Sequence, residues 1–142
     1  MSTLSDPAVR ALCRDRIQRL NPNANAKWGR MSAPQMVCHL NDSFRAGMGE
    51  KYASPSAGLL QRTLVKWIAL HTPFRWPSGV PTRPEIEQGR GGTPPGEWDC
   101  DRAELLRLLD AFASRPDSGQ HPAFAAHPTF GKLDDREWLI WG

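Results

Sequence analysis

Apolar residues recur along much of this chain at intervals of three and four, the spacing of one helical face. The first run holds Val9, Leu12, Cys13, Ile17 and Leu20, with Arg10, Arg14, Arg16 and Arg19 mainly on the other side as a solvated face. Asp6-Pro7 opens it with a cap and a proline at the first helical position, and Asn21-Pro22-Asn23 closes it. The second run extends to about Gly49. Ser32 stands as its N-cap, Pro34 falls in the first turn where a missing N–H costs nothing, and Gln35 completes a capping-box signature. At roughly 100° per residue, Met36, Gly47, Leu40, Phe44, Val37 and Met48 sweep one arc, the expected buried face.

A third helix is expected from a cap at Ser54-Pro55-Ser56 through Leu59, Leu60, Leu64, Val65, Trp67, Ile68 and Leu70. It is apolar over most of its circumference, which predicts the most buried element of the fold. Asp99 or Asp101 caps a fourth helix, where Leu105, Leu106, Leu108, Leu109 and Phe112 supply the buried stripe before Pro116. Asp134, with Glu137 three residues on, caps a fifth run through Trp138, Leu139, Ile140 and Trp141. That run ends without a polar last turn, so a C-terminal continuation is expected. Four helices and the start of a fifth, with no strand pattern, predict an all-α bundle. Between the third and fourth helices lies a crossover, Pro73 to Trp98, holding six prolines and five glycines without any period. A loop of that length is either a surface connection or a functional cover, and Trp76 and Trp98 near its ends suit a pocket mouth.

His39 lies just off the edge of the apolar arc of the second helix, between Gln35 and Ser43, with Asp42 one step further round. On the residues alone the position reads first as a boundary histidine bonded to a carbonyl, since a single histidine is no cluster; it also suits a metal ligand that points inward among polar neighbours. His121 and His127 each open an HP-x-F unit, and the proline places both in extended loop geometry. His71, at the end of the third helix, suits a favourable charge at a helix C-terminus. Cys38 is adjacent to His39 in sequence, but neighbouring residues on a helix diverge by roughly 100°, so it reads as packing.

Composition narrows the classes. A chain of 142 residues is one domain, 1–142, and with 39% apolar residues it can bury a core. The net charge of +3 is spread along helix faces, which argues against nucleic acid as a partner. Cys13, Cys38 and Cys100 are odd in number and widely spaced, with no CxxC, as expected of reduced thiols in the cytoplasm. No apolar run has the length of a membrane span and no signal core follows Met1.

The segment from Trp28 to His39 fits W-G-[KR]-M-[ST]-x-x-Q-M-x-x-H, and HPTFGKLDDREW runs from His127 to Trp138. Together these resemble the DinB-like superfamily of bacterial four-helix-bundle proteins, closest to an uncharacterised domain-of-unknown-function branch. The resemblance covers nearly the whole chain. It implies a DinB-like bundle with a long Pro/Gly-rich crossover, and a divalent metal of the zinc, nickel or iron class held by three histidines. His39 matches the second-helix ligand; the two C-terminal ligands fall beyond the last residue. Gln35, Asp42, Ser43, His127, Trp28 and Trp76 are the residues expected around that ligand or at the pocket. The implied activity is that of a metal-dependent transferase or hydrolase acting with a low-molecular-weight thiol or water. The alternatives are a metal-free bundle that holds a small ligand in a Trp-rich pocket under the crossover, and a stress-associated bundle that forms homodimers.

Overall fold

The computed structural model describes residues 3–55, 58, 61–72, 81–119 and 122–141. Its elements are α1 (Pro7–Gln18), α2 (Ala33–Gly47), a π-helical turn (Gln61–Val65) running into α3 (Lys66–His71), α4 (Trp98–Ala113) and α5 (Asp135–Trp141). Short 3-10 turns lie at Pro84–Ile86 and Arg115–Ser118. Among the described residues there is no strand, only an isolated bridge between His127 and Gly131, so the described fold is of the all-α class.

The helix starts follow local chemistry. The Asp6 carboxylate accepts from Ala8 N at 2.8 Å. At α2 the capping box closes both ways: Gln35 N donates to Ser32 Oγ at 3.3 Å, and Ser32 N to Gln35 Oε1 at 2.9 Å. Asp134 and Glu137 form the same reciprocal pair before α5, at 2.8 Å each. The cap of α4 is Glu97, which accepts from Cys100 N, rather than the expected Asp99 or Asp101. Those two fall in the first turn, where negative charge still suits the helix N-terminus.

The core centres on α4. Leu108, Leu109 and Phe112 are buried there against Leu70 of α3, Met48, and Phe124, Phe130, Leu133, Trp138 and Leu139 of the C-terminal segment. Phe112 is fully buried, with Phe124 at 4.7 Å, Phe44 at 4.9 Å and Trp138 at 6.0 Å between ring centroids. Gly47 of α2 permits this cluster, since a Cβ there would lie 3.0 Å from Phe112 and 3.1 Å from Trp138. From α1, Val9, Cys13 and Ile17 pack against the core while Leu12 stays exposed, and Arg14 forms an ion pair with Asp110 of α4.

Two expectations from periodicity are corrected. Over its described residues the third helix is not the most buried element: α3 buries Leu70 but leaves Trp67 more than half exposed, as is Leu64 in the π-helical turn. An apolar circumference is buried only where neighbours exist, and here the packing comes chiefly from α5, where Lys66 Nζ meets Glu137 at 2.8 Å. Ser54 and Pro55 precede the helical turn as irregular chain, and Ser56, Leu59 and Leu60 lie outside the described residues. On α2 the buried face keeps Val37, Gly47 and Met48 of the apolar arc but extends past it onto the polar side. Leu40 is exposed, whereas Cys38, Asn41 and Asp42 are buried beneath α4 and the crossover. Hydrophobic periodicity does not register a distant loop that folds over Asp42, or an α4 backbone and carboxylate that take the donors of Asn41 and Cys38.

Candidate functional site

His39 lies midway along α2, half-buried, with its ring against the 3-10 turn of the crossover. Its Nδ1 is 3.0 Å from the Ile86 carbonyl oxygen. A carbonyl only accepts, so Nδ1 carries the hydrogen and, in the neutral ring, Nε2 carries the lone pair.

The turn that supplies this carbonyl is tightly built. Ile86 N donates to Arg83 O at 3.0 Å, Gly91 N to Pro84 O at 2.9 Å and Gly92 N to Glu87 O at 2.9 Å. Gly91 and Gly92 are required at this closure, because a Cβ would stand 2.6 Å from the Pro84 carbonyl oxygen and 2.8 Å from the Glu87 oxygen, respectively. The segment is moored to α2 by Asp42, whose side chain is fully buried. Thr93 donates to it twice, through N at 2.7 Å and Oγ1 at 2.8 Å. Lys51 Nζ lies 2.8 Å from the same carboxylate and also donates to Gly91 O and to Thr93 Oγ1. Burial alone would raise the Asp42 pKa. The bonds from Lys51 and Thr93 outweigh it and hold the carboxyl below its ordinary value.

Beside this clamp runs a polar seam between α2 and α4. Asn41 Nδ2 donates to Asp101 O at 3.1 Å, Cys38 Sγ to Asp101 Oδ2 at 3.5 Å, and Arg45 pairs with Glu104 at 2.7 Å. Burial, and then the Asp101 carboxylate, push the Cys38 thiol up to about 11, which makes it inert as a nucleophile.

The other sequence-expected residues separate. Gln35 is spent on the capping box, and Ser43 Oγ donates to the His39 carbonyl at 2.8 Å, a backbone bond within the helix. Trp28 stands 64% exposed. Trp76 and His121 lie outside the described residues. His127 belongs to the C-terminal turn. Its Nδ1 accepts from Thr129 N and Phe130 N at 3.1 Å each, and its ring stacks on Phe130 at 4.7 Å and meets Trp138 at 5.2 Å. Burial lowers its pKa to about 4, so it is a neutral imidazole at physiological pH.

One cleft, of about 440 Å³, is bounded by Ala46, Tyr52, Pro55, Ala126, His127 and Gly131; the other, of about 390 Å³, lies between Leu70, His71, Arg136 and Ile140. His39 lines neither. Among the described residues no three of His, Cys, Asp and Glu come together as metal donors, so at His39 the chain supplies one fitting ligand rather than a set. No described helix is long and apolar enough to cross a membrane.

Sequence reasoning missed Ile86, Thr93, Lys51 and Asn41. The one sequence signal for the clamp is Gly91-Gly92-Thr93, where two adjacent glycines mark a close backbone approach. Comparison with family models, with curated proteins and with solved structures found no match to this chain.

Proposed function

We propose that the chain is a DinB-like four-helix-bundle domain in which His39 serves as the second-helix ligand of a divalent metal, in a metal-dependent transferase or hydrolase. The observation that carries this reading is the bond from His39 Nδ1 to the Ile86 carbonyl. Ligating histidines commonly donate their second ring N–H to a carbonyl or carboxylate, which fixes the tautomer and aims the other nitrogen. The Trp28–His39 and His127–Trp138 motifs support the family. A bound zinc, nickel or iron-class ion would acidify a low-molecular-weight thiol or a water and orient it against an electrophile. The described residues bring only one donor to this place, so no reaction step is routed through a metal. What they do supply is the fixed imidazole, the crossover packed against it, and a Cys38 thiol held out of the chemistry. The test is metal content by mass spectrometry on the freshly purified natural protein beside a His39→Ala variant. Near-stoichiometric metal that disappears with the substitution is the expected result; no metal in either form overturns the reading.

A second reading is favoured by the cleft beside His127. Its volume of about 440 Å³ falls within the range of small-molecule sites, and alanine and proline side chains form much of its wall. On this reading the chain is a metal-free domain that holds a small apolar ligand there. Trp138, in contact with His127, provides the fluorescence signal for a ligand screen, and a flat response across ligand classes would remove this alternative.

A further inference from the structure

We infer that Asp42 is a positioning residue for His39: by clamping the crossover onto α2 it fixes the Ile86 carbonyl, and so holds His39 in the Nδ1–H tautomer with the lone pair on Nε2. The inference deepens the proposed ligand role of His39 and rests on it for its functional meaning.

The path is a chain of contacts. Asp42 and His39 are three residues apart on α2, so the same short stretch of helix carries both the clamp and the ring. Asp42 takes both Thr93 donors and Lys51, and Lys51 in turn holds the Gly91 carbonyl. Gly91 N closes on Pro84 O, and Gly92 N on Glu87 O, so the backbone on either side of Ile86 is tied to the clamped end of the segment. Ile86 then presents its carbonyl to His39 Nδ1 at 3.0 Å. The side-chain bonds of Asp42 go to Thr93 and Lys51 and that of His39 to Ile86, so the loop is the bonded path from one side chain to the other.

The consequence is specific. A histidine without such a partner interchanges its tautomers in water and favours the form protonated at Nε2, which places hydrogen on the nitrogen a metal or substrate would meet. The clamp reverses that preference before any ligand arrives, and the organisation of the nitrogen is part of the folded chain. It also gives the Pro/Gly-rich crossover a task that its composition alone does not reveal.

The test is a long-range proton–nitrogen correlation spectrum of the ¹⁵N-labelled protein at alkaline pH. The His39 signals are assigned by comparison with His39→Gln. The wild-type protein is expected to show a protonated Nδ1 and a bare Nε2. Asp42→Asn, which keeps the shape but removes the charge that Lys51 holds, is expected to lose that pattern and shift toward the Nε2–H form, with helical circular dichroism unchanged. Gly91→Ala is the second variant: its Cβ would meet the Pro84 oxygen at 2.6 Å, which disturbs the turn without touching α2. If Asp42→Asn does not fold, Gly91→Ala carries the test alone. A wild-type ring protonated at Nε2, or folded variants that keep the wild-type pattern, would overturn the inference. A locked Nδ1–H ring in a protein that takes up no metal would leave the clamp standing and remove only the ligand role of His39.

Discussion

His127 gives the most direct way to read the burial of a titratable group from stability. Its ring sits between Phe130 and Trp138, and its Nδ1 is occupied by two backbone N–H groups. Burial lowers its pKa from 6.5 to about 4 in the folded state. Below pH 6.5 the unfolded chain therefore takes up a proton that the native protein refuses until about pH 4. The unfolded state binds more protons across that window, so native stability falls as pH falls from 6.5 to 4, and above the window the group contributes no pH dependence. The gap of about 2.5 pH units, at 1.36 kcal/mol each, amounts to about 3 kcal/mol. Asp42, Glu97 and Glu104 have lowered pKa values, so their contributions are lost in a more acidic range, as pH drops through those values. His127→Asn keeps an acceptor for Thr129 N and Phe130 N and removes the titrating ring. Lost ring contacts make the variant less stable by an offset that does not depend on pH. Urea denaturation of both proteins at a series of pH values should show their stability difference narrowing by about 3 kcal/mol as pH falls through the window. Parallel curves would refute the reasoning.

Further substitutions test the packing and the clamp. Phe112→Ala removes the centre of the aromatic cluster and should cost about 3–5 kcal/mol, seen as a lowered denaturation midpoint and a weakened near-ultraviolet signal from Trp138. Asp42→Ala leaves Lys51 and both Thr93 donors without their acceptor. It should cost about 3 kcal/mol or more by chemical denaturation, and a loss under about 1 kcal/mol would mean that water replaces the carboxylate. Cys38, buried and with its thiol pushed up to about 11, should resist thiol reagents until the protein unfolds; labelling of the native protein at the rate of exposed Cys100 would contradict its placement.

Helix positions and three of the five expected caps, at Asp6, Ser32 and Asp134, were legible in the residues, because capping depends on neighbours two or three positions away. Ser32 with Gln35 and Asp134 with Glu137 behave as their spacing predicts. Part of the buried face of α2 was legible, since Val37, Gly47 and Met48 of the apolar arc are buried, but its extension onto the polar side was not. The apolar arc included Leu40, which is exposed, while Asn41 is buried against Asp101 of α4 and Asp42 under Thr93 of the crossover, about fifty residues away along the chain. The third helix failed for the opposite reason: composition supplied apolar residues on every side, while the fold supplied a neighbour on few. At the candidate site, His39 stood out as an isolated imidazole at a helical boundary. Its partner could not, because a backbone carbonyl has no signature in sequence; only Gly91-Gly92 hinted that a tight turn would be present.

The Asp42–Thr93 clamp spans 51 positions of the chain, and that span has a bearing on the order of folding. Joining the ends of so long a stretch early would cost chain entropy with little returned, whereas after α2 and α4 have paired, most of that cost has already been met. The clamp is thus a late fastening, absent from the rate-limiting state for folding and broken early on the way out. Its strength should set how long the native protein persists rather than how fast it forms. In stopped-flow experiments, weakening Asp42 should steepen unfolding and leave refolding nearly unchanged.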